Sequence, residues 1–140
     1  MWNKIFGIAT ANKKNGAAID LNIGDKGELA AQAFLVRQGL TLLEKNYRCK
    51  RGELDLIMQD QEHCVFVEVR LRKNSAFGSP AETVTYSKQQ KLIAAAQHYL
   101  AAKELSEKVV CRFDVVSIIG DLNRNKNELT IDWLRNAFSA

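Results

Sequence analysis

The sequence contains no apolar stretch approaching the roughly 20 residues that a membrane-spanning helix requires, so a helical span is excluded. Its cysteines, Cys49, Cys64 and Cys111, are odd in number and widely spaced, with no CxxC pair. A disulfide framework is therefore not indicated, and a reducing cytoplasm is the expected setting. His63 beside Cys64 offers half of a zinc site, but a tetrahedral site needs four ligands and no second pair follows. There is no internal repeat, which sets aside solenoids and arrays. The apolar patch at Trp2, Ile5, Phe6 and Ile8 precedes Lys13 and Lys14, the reverse of a secretion signal's order. Residues 1–20 read as a flexible tail, and residues 21–140 as a single domain.

What remains is ordinary globular material: 140 residues, 46% hydrophobic and 26% charged. The net charge of +4 and pI near 9.0 suit a polyanionic partner without demanding one.

Gly27, Ala30, Ala31, Phe34, Leu35 and Gln38 recur at helical spacing and predict a helix over 25–38. Asp25 is the expected cap, Glu28 the second half of a capping box, and Gly39 the stop. Three strands are expected next, over 40–47, 53–59 and 64–71. In the second, Leu54, Leu56 and Met58 alternate against Glu53, Asp55 and Ile57; in the third, Val65, Val67, Val69 and Leu71 stand opposite Phe66, Glu68 and Arg70. The polar stretch 60–63 predicts a hairpin, hence an antiparallel pair. Residues 73–80, with the sole proline, read as a loop. Ser87 and Gln90 form a second capping box opening a helix to about Lys103, with Leu92, Ala95, Ala96, Tyr99 and Leu100 as its stripe. A fourth strand is expected over 112–119, and a strand or short helix over 129–138.

Period-two alternation puts Glu53 with Asp55 on one face, and Glu68 with Arg70 on one face of the neighbouring strand. Two carboxylates about 5 Å apart repel by roughly 3 kcal/mol at an effective dielectric near 20. Such a cluster calls for a cation, a raised pKa or open water, and Mg²⁺ accepts a few carboxylates while keeping its waters. The same alternation also describes a solvated sheet face, with Glu68 and Arg70 as an ion pair worth under about 1 kcal/mol. Arg48, Lys50 and Arg51 before the acidic strand, Arg72 and Lys73 after the next one, and Lys88 with Lys91 on the second helix suit either phosphate contacts or a plain surface. Asp114, amid apolar residues, reads as a structural hydrogen-bonding group, and His98 as a surface or half-buried helix residue.

The strings Gly52-Glu53-Leu54-Asp55-Leu56-Ile57 and Val65-Phe66-Val67-Glu68-Val69-Arg70 resemble the core of PD-(D/E)XK nucleases. More closely, the chain resembles the YraN-type uncharacterised bacterial family, which is similar to archaeal Holliday-junction resolvases. The further motifs are Gly27-Glu28, Asn46-Tyr47-Arg48, Gly78-Ser79-Pro80-Ala81-Glu82, Lys88 with Lys91, and Phe113-Asp114-Val115-Val116. The resemblance runs from about Gly24 to Ile119.

It implies an α/β, restriction-endonuclease-like core, a mixed central sheet flanked by helices in the order α-β-β-β-α-β. It further implies a catalytic set of Glu28, Asp55, Glu68 and Arg70, with Asp55 and Glu68 holding Mg²⁺ or Mn²⁺ and Glu53 in support. Arg70 stands where the pattern has lysine. Arginine can stabilise phosphate charge but is a poor proton acceptor. The implied activity is metal-dependent cleavage of DNA, branched or otherwise structured, with a homodimer as the assembly that could cut two strands. A nucleic-acid-binding module that does not cleave and a protein-interaction scaffold are the alternatives.

Overall fold

The computed structural model describes residues 22–72, 84–122 and 128–140. The N-terminal tail, the loop carrying Lys73 and Pro80, and most of the asparagine-rich turn fall outside them. The elements run α1 (Ile23–Arg37), β1 (Thr41–Cys49), β2 (Gly52–Asp60), β3 (His63–Arg72), α2 (Tyr86–Ala102), β4 (Val110–Ile119) and β5 (Thr130–Phe138). The final segment is thus a strand.

Both helices begin earlier than their capping boxes suggest. Asn22 caps α1, its side chain accepting the Asp25 N–H at 2.8 Å, so Asp25 is an ordinary first-turn acid and Glu28 lies beyond the cap. Thr85 caps α2 by accepting the Lys88 N–H at 3.2 Å, which displaces Ser87 from that role. In each case an upstream residue with a short oxygen-bearing side chain and extended backbone reaches the orphan donors first. Gly39 ends α1 as expected, at φ +101°, a conformation that glycine adopts without strain.

The five strands form one mixed sheet in the order β1-β2-β3-β4-β5, antiparallel except for β3 against β4. The parallel pair requires a crossover, and α2 supplies it. One helix covers each face. Ala31 and Leu35 of α1 pack with Leu56, Met58, Val65, Val67, Val116 and Ile118. On the opposite face, Leu92, Ala95, Ala96 and Tyr99 of α2 pack with Leu54, Ile57, Phe66 and Val115. Burial on both faces explains the near-continuous apolar runs of β3 and β4.

Strict alternation fails in β2. Leu54 joins Ile57 on the α2 side, whereas Leu56 and Met58 face α1. The slip falls at Asp55, between the pairs Lys45↔Leu56 and Tyr47↔Leu54, and Asn46 at the corresponding point of β1 has a φ of +53°. β2 and β3 pair from Asp60↔His63 only as far as Leu56↔Val67. Beyond that point β2 stays with β1 to Cys49↔Gly52, while β3 follows β4 to Arg72↔Ile119. The central sheet therefore splits, with Asp55 and Glu68 next along each strand at the point of divergence.

Candidate functional site

At the split, the Asp55 carboxylate takes over the work of a missing backbone acceptor. Its Oδ2 accepts the Val69 N–H at 2.9 Å, which fixes the side chain between the parting strands. Glu68, one residue earlier on β3, is buried at 6% exposure. Two cations approach its Oε1: Arg70 Nη1 at 3.7 Å from the same strand face, and Lys88 Nζ at 3.9 Å from the first turn of α2.

The electrostatics show which effect wins. Burial, then the Asp55 charge, push Glu68 up to about 7, despite Lys88 and Arg70. The cations stand beyond direct hydrogen-bond distance, so their pull falls short of the lost hydration. Burial also raises Asp55, and the Val69 N–H and Lys88 only partly oppose it. Each acid is thus a poor resident for a bare negative charge.

Glu28 of α1 reaches the same place from the opposite helix. It is half-buried and raised by burial and by Asp55, while a hydrogen bond with Asn46 opposes the shift. With its capping role gone, Glu28 has Asp55 and Asn46 as its neighbours. Sequence reasoning named Asn46 only within the Asn46-Tyr47-Arg48 motif and did not place it beside Glu28. The available signal was its residue type, since asparagine tolerates a left-handed backbone better than most.

The remaining named residues divide. Glu53 turns outward into an ion pair with Arg48 at 3.3 Å, with side chains 55% and 77% exposed, though its charge still raises Asp55 and Glu68. Arg48, Arg51, Lys88 and Lys91 come together around one cleft. Arg72 lies at the end of β3, where its carbonyl accepts the Gly120 N–H, and does not line that cleft. Lys73 is outside the described residues.

Asp114 is the structural group that its setting suggested. Fully buried, it accepts from Arg112, from Trp133 Nε1 at 2.9 Å and from the Asn136 N–H at 2.9 Å. His98 is exposed on α2 and hydrogen-bonded to the Tyr47 hydroxyl, away from the acids. The three cysteines are free thiols.

As a cation site the acids form a partial set. Among the described residues, no three His, Cys, Asp or Glu side chains converge as a ready cage. Asp55 and Glu68 are hard oxygen donors of the kind that could contribute to a divalent-cation site, in which one or two carboxylates are completed by water and phosphate.

Residues 27–118 match the family described as Uncharacterised protein family UPF0102. A UPF0102 protein of Saccharophagus degradans is 51% identical over 116 residues, 83% of this chain and 92% of the relative. One from Nitrosomonas europaea is 51% identical over 117 residues, 84% and 93% of the two chains. One from Legionella pneumophila is 44% identical over 119 residues, 83% and 96%. No described helix is long and apolar enough to cross a membrane.

Proposed function

We propose, for a chain that belongs to the uncharacterised protein family UPF0102, metal-dependent hydrolysis of DNA phosphodiester bonds on a restriction-endonuclease-like core. The observation that carries this reading is the Asp55–Glu68 pair at the split between β2 and β3, beside Arg70 and Lys88. The element order α-β-β-β-α-β, followed by one more strand, agrees with such a core.

Asp55 and Glu68 would hold Mg²⁺ or Mn²⁺, with Glu28 approaching from α1. When bound, the cation supplies Lewis-acid charge to the phosphate and makes a nearby water more acidic. Asp55, pinned by Val69, presents its carboxylate at a fixed angle, so little reorganisation is needed on loading. Arg70 offers planar donors to the charge that develops on phosphate oxygens. Burial of Glu68 keeps competing water away from its carboxylate.

The test is cleavage of duplex, single-stranded, flap and four-way-junction DNA with Mn²⁺, with Asp55→Asn as the control. Cleavage by the wild type that disappears in the variant supports the reading. No cleavage of any substrate, or cleavage undiminished in the variant, ends it.

A second reading, a DNA-binding module that does not cut, is favoured by the two cations already at Glu68 and by the absence of a three-ligand group among the described residues. Metal-independent binding without cleavage would select it.

A further inference from the structure

The hairpin joining β1 and β2 is tight: Cys49 pairs with Gly52, leaving Lys50 and Arg51 at its tip. This tip leans on α2 so closely that a Cβ on Gly52 would stand 2.9 Å from the Lys91 carbonyl oxygen. Glycine permits that approach, and the contact brings the basic tip against the basic first turns of α2. Between them lies a cleft of about 470 Å³ lined by Arg48, Lys50, Arg51, Lys88 and Lys91, with Glu53 as its single acid.

Most of that charge is uncompensated. Arg48 is held by Glu53, and Lys88 is shared with Glu68. Lys50, Arg51 and Lys91 make no ion pair with any described residue. Folding gains nothing from gathering like charges around a concavity, since they repel and must be kept hydrated. A polyanion relieves that repulsion. Lys88 both lines the cleft and faces Glu68, so an anion lying in the cleft runs directly to the split between β2 and β3.

We infer that this cleft is a phosphate-binding subsite, separate from the carboxylate pair, that holds the DNA backbone beside the bond to be cut. The arginine guanidiniums fit phosphate oxygens in pairs, and the lysines act as point charges. The inference rests on the reading above for the identity of the polyanion, but it requires neither metal nor cleavage.

The test is binding of a fluorescent DNA duplex to the full chain in EDTA between 50 and 200 mM salt. Arg51→Ala and Lys91→Ala should each weaken binding about 3- to 10-fold and lower the salt slope by roughly one. Lys108→Ala, a surface charge away from the cleft, should change neither. Gly52→Ala, which removes no charge, should also weaken binding by pushing the tip off α2. Unchanged affinity and slope in both cleft variants would overturn the subsite, as would tighter binding of polyglutamate than of DNA. Cleavage lost in Asp55→Asn with binding intact bears on the carboxylate pair and leaves the subsite standing. Absence of cleavage in the wild type with the cleft effects present would end the hydrolase reading alone.

Discussion

The Asp55 carboxylate accepts the Val69 backbone N–H at 2.9 Å, a side chain replacing the partner strand where β2 leaves β3. That bond gives Asp55 a structural duty alongside any chemical one, and substitutions can separate the two. Asparagine keeps an oxygen acceptor and loses the charge, so Asp55→Asn should fold with stability within about 1 kcal/mol of wild type. Asp55→Ala leaves the Val69 N–H without its acceptor and should cost about 1–3 kcal/mol. Both should lose Mn²⁺ binding. Calorimetric titration with Mn²⁺ and urea unfolding check the two effects independently. Full Mn²⁺ affinity in Asp55→Asn would remove Asp55 from the cation site.

Glu68 gives the protein a pH dependence of definite sign. Its ordinary value of 4.5 is raised to about 7 by burial and by Asp55. Between those values the folded state holds a proton that the unfolded chain has released, so stability falls as pH rises through the window. The full shift corresponds to about 3 kcal/mol of stability, present near pH 4.5 and lost by pH 8. Glu68→Gln should therefore exceed wild-type stability at pH 8 and match it near pH 4.5. Denaturant unfolding at both values measures this. Equal gains at the two pH values would show that titration of Glu68 is not the cause.

The sequence made the sheet legible because burial on one or both faces writes itself into apolar alternation, as in Val65, Val67 and Phe66. Asp55 and Glu68 were named from the resemblance; alternation alone does not give the face of Asp55, because the phase of β2 slips between Leu54 and Leu56. That slip was not legible, because nothing in the alternating pattern of 53–59 marks it; it lies beside Asn46, which takes a φ of +53° on the neighbouring strand. Cap positions were missed by two or three residues: Asn22 and Thr85 compete with later polar residues for the same donors, and only backbone geometry decides. Lys88 was legible as a basic residue on a helix. Its approach to Glu68 was not, because it depends on how α2 lies across the sheet.

Asp114 offers a stability prediction independent of any activity. Its carboxylate satisfies Arg112, Trp133 Nε1 and the Asn136 N–H at a site with no solvent exposure. It thereby ties β5 to β4 where Asn136 takes φ +52°. Asp114→Ala strands a half-buried guanidinium and two further donors, and should cost about 3–5 kcal/mol. Urea denaturation measures it. A loss under about 1 kcal/mol would mean that water or Asp60, which holds Arg112 at 2.8 Å, substitutes for the network.

Glu28 discriminates between a helix-terminal and a site role. Asn22 already caps α1, so Glu28→Gln should leave the melting temperature unchanged or raise it by relieving a charge that burial and Asp55 disfavour. If Glu28 belongs to the cation site, the same variant should weaken Mn²⁺ binding about 3- to 10-fold. A lowered melting temperature with unchanged metal affinity would return Glu28 to a purely structural role.

Arg70 is where charge type can be tested against charge alone. Its guanidinium stands 3.7 Å from Glu68, and Lys88 stands 3.9 Å from the same oxygen, so removing Arg70 does not leave that acid without a cation. Arg70→Ala should fold normally and bind Mn²⁺ slightly more tightly, because a competing positive charge has gone. Any cleavage should nevertheless fall about 100-fold, about 3 kcal/mol of transition-state stabilisation, because arginine's donors meet charge that develops only as the phosphate reacts. Arg70→Lys supplies a compact ammonium at the same strand position and should keep or raise the rate. Single-turnover cleavage with Mn²⁺, run beside metal titration of each variant, separates these effects. Equal rates for wild type and Arg70→Ala would assign the transition-state charge to Lys88, leaving Arg70 to neutralise Glu68 in the resting protein. Should neither wild type nor Arg70→Lys cut any DNA while metal-independent binding persists, the carboxylate pair is not a working hydrolytic centre, and the binding module is the better account.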